Sequence, residues 1–209
     1  MNVMTLDQKI GQLFMVAAYS NKDATHVKEI ENLVKKYQIG GLIFMQGGPV
    51  RQAKLTNSYQ GMSQIPLLIA MDAEWGPSMR LDSVPSFQRQ LTWGALSNDS
   101  TVYEVGTEIA RELKRLGVHV NFAPDIDINN NPKNPVIGDR AFGEDNYNVA
   151  LKGLMYKNAL QDNQIIACGK HFPGHGDVDA DSHVTLPVVK HSYQHLDTLE
   201  FFPFNILMY

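Results

Sequence analysis

Short apolar runs, each followed by a longer stretch of helical periodicity, constrain this chain more than any other feature it carries. The runs are Leu13–Ala17, Gly40–Met45, Pro66–Met71, Val118–Phe122 and Ile165–Cys168. They do not alternate between polar and apolar residues. Strands of that kind are buried on both faces, which is the pattern of a parallel sheet covered by helices. The helical stretches fall between them. Asn21–Tyr37 sets Val27, Ile30, Leu33 and Val34 on one face, and Gly48–Ser63 has Pro49 in its first turn. Asp99–Leu116 stops at Gly117, Asp145–Asp162 follows, and Tyr193–Leu199 opens another helical stretch. A first short helix is capped by Thr5.

Two architectures fit a βα succession: an open doubly wound sheet and a (β/α)8 barrel. No G-x-G-x-x-G follows the first strand, which weighs against the dinucleotide-binding version of the first. Polar residues instead recur where strands end. Asp72 and Glu74 follow one strand, Asn121, Asp125 and Asp127 another, and Lys170 and His171 a third. Barrel enzymes build their sites at that end of the strands. The fold class expected is therefore α/β, a TIM-type (β/α)8 barrel. A barrel usually takes about 250 residues. The 209 residues here read as an N-terminal portion of about five βα units, one domain over 1–209.

Composition removes several function classes. A net charge of −4 leaves no basic stripe for nucleic acid. No apolar run reaches the length of a membrane-spanning helix. The single cysteine, Cys168, excludes an internal disulfide framework, and its place in the run IIAC reads as a buried small residue. Asp7 and Lys9 stand where a signal peptide would be apolar. A cytoplasmic and a periplasmic home both remain open, since a leader can have been trimmed.

Residues 169–187, GKHFPGHGDVDADSHVTLP, gather three histidines, three aspartates and a lysine among turn residues. Three readings compete. Divalent metal binding by the histidines and aspartates is one, although Pro173 and Gly174 between His171 and His175 spoil the zinc-protease helix, and the final Glu of a calcium loop is missing. A solvated turn whose histidines satisfy backbone groups is the second. The third is acid/base work by Asp181 and His183, with the carboxylate fixing the imidazole tautomer, and Gly174 and Gly176 letting the loop swing over a substrate.

Elsewhere, Lys170 and His171 leave a strand end and are placed to donate to ligand hydroxyls, while Asp72 is a natural acceptor for a pair of them. Arg80 and Arg140 offer fork-shaped donors. The competing roles are a surface arginine for Arg80 and an ion pair with Asp139 or Glu144 for Arg140. Trp75 and Trp93 read as core residues before sugar-stacking platforms. Asp125 and Asp127 are expected to brace their loop by accepting from backbone amides.

Lys170-His-Phe-Pro-Gly-His-Gly-Asp177 followed by Asp181-Ser-His183 resembles the signature of family 3 glycoside hydrolases, in its β-N-acetylglucosaminidase branch. Further matches come in the same order: Thr5–Phe14, Gly40–Phe44, Asp72 with Arg80, Asn121–Asp125 and Ile137–Gly143. The resemblance implies a retaining exo-hydrolase that removes terminal β-linked N-acetylglucosamine, with cell-wall muropeptides as the usual substrates and no cofactor. It implies that Asp72, Arg80, Arg140, Lys170 and His171 bind the sugar, and that Asp181 and His183 form the acid/base dyad. The family nucleophile is an aspartate after a later strand, so it is expected beyond residue 209, and the fragment alone is expected to lack covalent catalysis. Met71-Asp-Ala-Glu-Trp-Gly-Pro77 departs from the more usual Asp-x-Glu-Gly-Gly, which leaves the pocket rim open to reshaping by Trp75 and Pro77. A noncatalytic glycan-binding module and a metal-dependent hydrolase using the loop histidines are the alternatives.

Overall fold

A computed structural model describes residues 4–178, 188–189 and 191–208. The chain runs α1 (Leu6–Gly11), β1 (Met15–Tyr19), α2 (Ala24–Asn32), β2 (Gly41–Gln46), α3 (Pro49–Met62), β3 (Leu68–Met71), α4 (Gln90–Gly94), α5 (Ser100–Arg115), β4 (Val120–Asn121), α6 (Asn146–Asp162), β5 (Ile166–Ala167), α7 (Tyr193–His195) and α8 (Phe201–Met208). The strands follow one another in chain order, β1-β2-β3-β4-β5. A doubly wound sheet reverses its strand order partway, whereas a βα barrel adds each strand beside the last. The α/β architecture of the TIM type is the one this order fits.

The residues divide into two compact units, Met1–Ser86 with Arg111–Asn121, and Phe87–Ala110 with Phe122–Tyr209. In the first, β1, β2, β3 and β4 pair in parallel, with Val16 beside Leu42, Leu42 beside Ile69, and Met71 beside Asn121. Leu42, Phe44, Ile69, Ala70 and Met71 are fully buried. That is the two-sided burial a continuous apolar strand requires. The second unit packs Val102, Ile109, Tyr156, Ala159 and Leu160 into its own core with Ile126 and Phe142. There the backbone at 123–126 runs beside the end of β5. Cys168 N donates to Ala123 O, Lys170 N to Pro124 O, and Ile126 N to Lys170 O.

Local signals place most element ends. Thr5 Oγ1 accepts from the Gln8 amide while the Gln8 side chain accepts from the Thr5 amide, a complete capping box. Asp145 caps α6. Gly117, at φ 72°, follows α5 in the left-handed region that glycine enters without cost. The strand expected at Leu13–Ala17 begins two residues later. The Leu13 and Phe14 amides still donate to Ile10 O and Gly11 O, so these side chains extend the turn after α1 and stay exposed. The helix expected over Asn21–Tyr37 starts at Ala24, because the side chain that caps it is Asp23. It then continues as a π-helical turn, Leu33–Tyr37, and ends on Gln38 in the left-handed region. Cys168 is half-buried, not buried, since β5 ends before it. Among the described residues, no helix is long and apolar enough to cross a membrane.

Helix α4 has no counterpart in the hydrophobic pattern, and its end depends on a close backbone approach. A Cβ on Gly94 would sit 1.7 Å from the Phe142 carbonyl oxygen. The obstacle is backbone, so it cannot rotate away. Gly94→Ala is expected to destabilise the protein by about 2 kcal/mol or more. Gly61, in α3, meets nothing within 4 Å, and Gly61→Ala should be neutral or stabilising by about 0.5–1 kcal/mol. Urea midpoints at constant m-value check both. Equal midpoints for the two variants would contradict this account of Gly94.

Candidate active site

In the first unit the site residues sit where β3 ends. Asp72 follows Met71 directly, and the turn Pro77–Met79 brings Arg80 back to it. Arg80 Nη2 lies 2.5 Å from Asp72 Oδ2, and Arg80 Nε donates to the Asp72 carbonyl at 3.0 Å. Both side chains are about four-fifths buried, at 18% and 20% exposure, so Arg80 is not the surface arginine that competed with a binding role. Asn121 holds this loop in place. Its Oδ1 accepts from the Ala73 amide at 3.0 Å, and its Nδ2 donates to the Ala73 carbonyl at 3.2 Å. An amide side chain can make both bonds at once because it carries a donor and an acceptor. The motif containing Asn121 was visible in the sequence, but its partner, fixed by β3 lying beside β4, was not.

The second unit holds a denser group. Asp125 and Asp127 are buried, at 0% and 1% exposure. Asp127 accepts from the His171 amide at 3.2 Å and from the His175 amide at 2.6 Å, and Asp125 Oδ1 accepts from the Asp127 amide at 3.0 Å. The bracing role expected of the two aspartates is visible in these bonds. Asp127 also takes His171 Nδ1 at 2.6 Å, and Arg140 Nη2 faces His171 Nε2 at 3.3 Å. With both ring nitrogens engaged, the imidazole has a fixed orientation. Arg140 also lies 3.5 Å from Asp125 Oδ2. The sequence left Arg140 an ion pair with Asp139 or Glu144 as its competing role. Asp139 pairs with Arg89, at 3.6 Å, and the fold also brings Arg140 to the buried aspartate. Lys170 is set beside Asp125 by an isolated parallel bridge and is half-buried.

Gln90 belongs to this group, although no motif marks it. Fully buried, it donates to the carbonyls of Asp125 and Arg140, each at 2.7 Å, and accepts from the Asp125 amide at 3.3 Å. One side chain thus ties the loop after β4 to the turn carrying Arg140. Asn134 does the same for the start of the histidine-rich loop, donating to the carbonyls of His175, Gly176 and Val178. Trp93 packs on Phe142 and Tyr156, a core role.

The two loop glycines sit in close packing. A Cβ on Gly176 would sit 1.8 Å from the Ile128 carbonyl oxygen, and one on Gly174 would sit 2.2 Å from Glu200 Oε2. Glu200 itself was missed. It is 3% exposed. Burial first, then the charges of Asp127 and Asp177, push its carboxyl up to about 7. Asp181 and His183 lie outside the described residues.

Residues 5–208 match the family model described as the glycosyl hydrolase family 3 N terminal domain. The chain is 37% identical over 189 residues to a β-hexosaminidase A of Pseudoalteromonas piscicida, covering 84% of this chain and 32% of that protein. A family 3 β-N-acetylglucosaminidase from Paenibacillus sp. str. FPU-7 superposes with a TM-score of 0.87 at 37% identity, covering 98% of this chain and 40% of that one. Native NagZ from Neisseria gonorrhoeae does so with a TM-score of 0.78 at 26% identity, over 92% of this chain and 58% of that one. The chain spans between about a third and a half of the curated relatives it matches.

Proposed function

This chain belongs to the glycosyl hydrolase family 3 N-terminal domain family, and from that membership we propose that its protein is a retaining exo-glycosidase. The substrate is a terminal β-linked N-acetylglucosamine, and peptidoglycan fragments are its source. The observation that carries the reading is the His171–Arg140 contact. Two residues 31 apart in sequence meet at 3.3 Å above two buried aspartates. A guanidinium held by an imidazole in this way presents its remaining donors in a fixed direction, which is what recognition of sugar hydroxyl and acetamido groups demands.

In this reading Asp72 accepts from a pair of sugar hydroxyls, and Arg80 keeps its carboxylate aimed. Arg140 and Lys170 donate to the remaining polar groups, and His171 lines the sugar beside them. His183, oriented by Asp181, gives a proton to the leaving oxygen and later takes one from the attacking water. A retaining reaction also needs a carboxylate nucleophile on the other face of the sugar, and no residue of this chain is assigned that part. Asp127 and Gln90 act through His171 and Arg140 as positioning residues.

The test is hydrolysis of a chromogenic β-N-acetylglucosaminide by the full-length protein, repeated after EDTA treatment. Hydrolysis that survives the chelator is expected. Binding of N-acetylglucosamine without turnover would replace the enzyme by a glycan-binding module, and loss of activity on chelation would favour a metal-dependent hydrolase. His183→Ala should slow substrates with poor leaving groups by about 100-fold or more and activated ones far less, because only the former need protonation. Equal slowing of both would remove the acid role from His183.

A further inference from the structure

The second unit carries another group of ligand-forming side chains beside the one already described. Asp177, His191 and His195 each offer a ligand atom, and these atoms lie within 4.8 Å of one another. His191 Nε2 is 2.6 Å from Asp177 Oδ2, and the His191 and His195 rings stack with centroids 4.1 Å apart. Ser192, the first of the three residues between them, holds their spacing. Ser192 caps α7, its Oγ accepting from the His195 amide at 3.2 Å. His195 Nε2 is buried and has no hydrogen-bond partner among the described residues. An ion pair between His191 and Asp177 would satisfy those two groups and leave the His195 nitrogen with nothing.

We infer that Asp177, His191 and His195 form a binding site for a divalent transition ion, with zinc the best match. Two imidazole nitrogens and one carboxylate oxygen are a donor set zinc takes readily, with water in the fourth position of the tetrahedron. Zinc–nitrogen bonds of about 2.0–2.1 Å place ligand atoms about 3.3 Å apart. The side chains reach that spacing by rotating about their own torsions, since His191 and Asp177 are about one-third exposed, at 32% and 29%. The ion would join two chain positions that bracket residues 178–190, the stretch of sequence that contains Asp181 and His183.

Asp125, Asp127 and His171 also lie within ligand distance of one another, but other partners already engage that group. It supplies a single imidazole, Arg140 brings a positive charge 3.5 Å from Asp125, and three backbone amides occupy the carboxylates. A cation there would face the guanidinium.

Zinc titrated into the metal-free protein should bind at one site by calorimetry, and Co2+ in its place should give the intense visible absorption of a tetrahedral ion. His191→Ala and His195→Ala should each weaken zinc binding by roughly tenfold or more, as should the near-isosteric Asp177→Asn. His171→Ala should leave it unchanged. Far-UV circular dichroism confirms that each variant is folded. Binding lost in His171→Ala but kept in His191→Ala would move the ion to the other group and overturn the assignment. No binding by the folded wild-type protein would reduce the site to an ion pair and overturn it equally.

Discussion

Glu200→Gln is expected to stabilise the metal-free protein above neutral pH by up to about 3 kcal/mol and to leave it unchanged near pH 4. The carboxyl is 3% exposed, and burial with the charges of Asp127 and Asp177 pushes it from 4.5 up to about 7. Between those two pH values the folded chain holds a proton that the unfolded chain has released. Stability therefore falls as pH rises through that window and is lowest above pH 7. At pH 8 the wild-type protein carries a buried carboxylate facing two other acidic side chains. Glutamine keeps the shape and cannot ionise. The difference in melting temperature at pH 8 should be about 5 °C or more for a chain of this length, closing to nothing below pH 4.5. Parallel melting curves for the two proteins from pH 4 to 8 would sink the idea that Glu200 titrates while buried.

Asp127→Ala is expected to cost about 3–5 kcal/mol, the largest loss of any single change considered. The carboxylate accepts from two backbone amides and from the His171 ring. Its removal strands amides in a region with little access to water, and a buried donor without a partner costs about 1–3 kcal/mol. His171 would lose the contact that orients it toward Arg140. Asp127→Asn refills the space but turns one acceptor into a donor, so it should recover only part of the loss. Urea unfolding measures both. A loss below about 1 kcal/mol for Asp127→Ala would mean that the loop after β5 holds its shape without the aspartate. On the proposed function, the asparagine variant of the full-length protein should raise KM more than it lowers kcat, because it disturbs the aim of a proposed binding residue and leaves the proposed dyad alone.

The two predictions concern residues that the sequence treated very differently. Asp127 stood in a motif at a strand end, where an acidic residue followed by a turn already suggested backbone bracing. Glu200 sat in a helical stretch with nothing to mark it. Its character comes from the closeness of Gly174, whose missing side chain lets the loop approach the carboxyl, and from two aspartates far away in sequence. Gln90 was hidden for the same reason, since both backbone segments it joins lie well downstream. Arg140 stood out in the sequence but the buried Asp125 beside it did not, because sequence proximity pointed to Asp139 and Glu144.

The sequence by itself determined the βα succession, the caps at Thr5, Asp145 and Gly117, and which strand ends bear charged side chains. All of these follow from contacts within a few residues: a helical period, a capping hydroxyl or carboxylate, a glycine free to turn left-handed. Only the tertiary structure decided which groups meet. Strand register set Asn121 against Ala73, and packing set Gly174 against the Glu200 side chain and Gly176 against the Ile128 backbone. Burial raised the Glu200 carboxyl, and the turn after residue 190 brought His191 and His195 to Asp177. Partner choice depends on distances across the fold, and local sequence does not encode them.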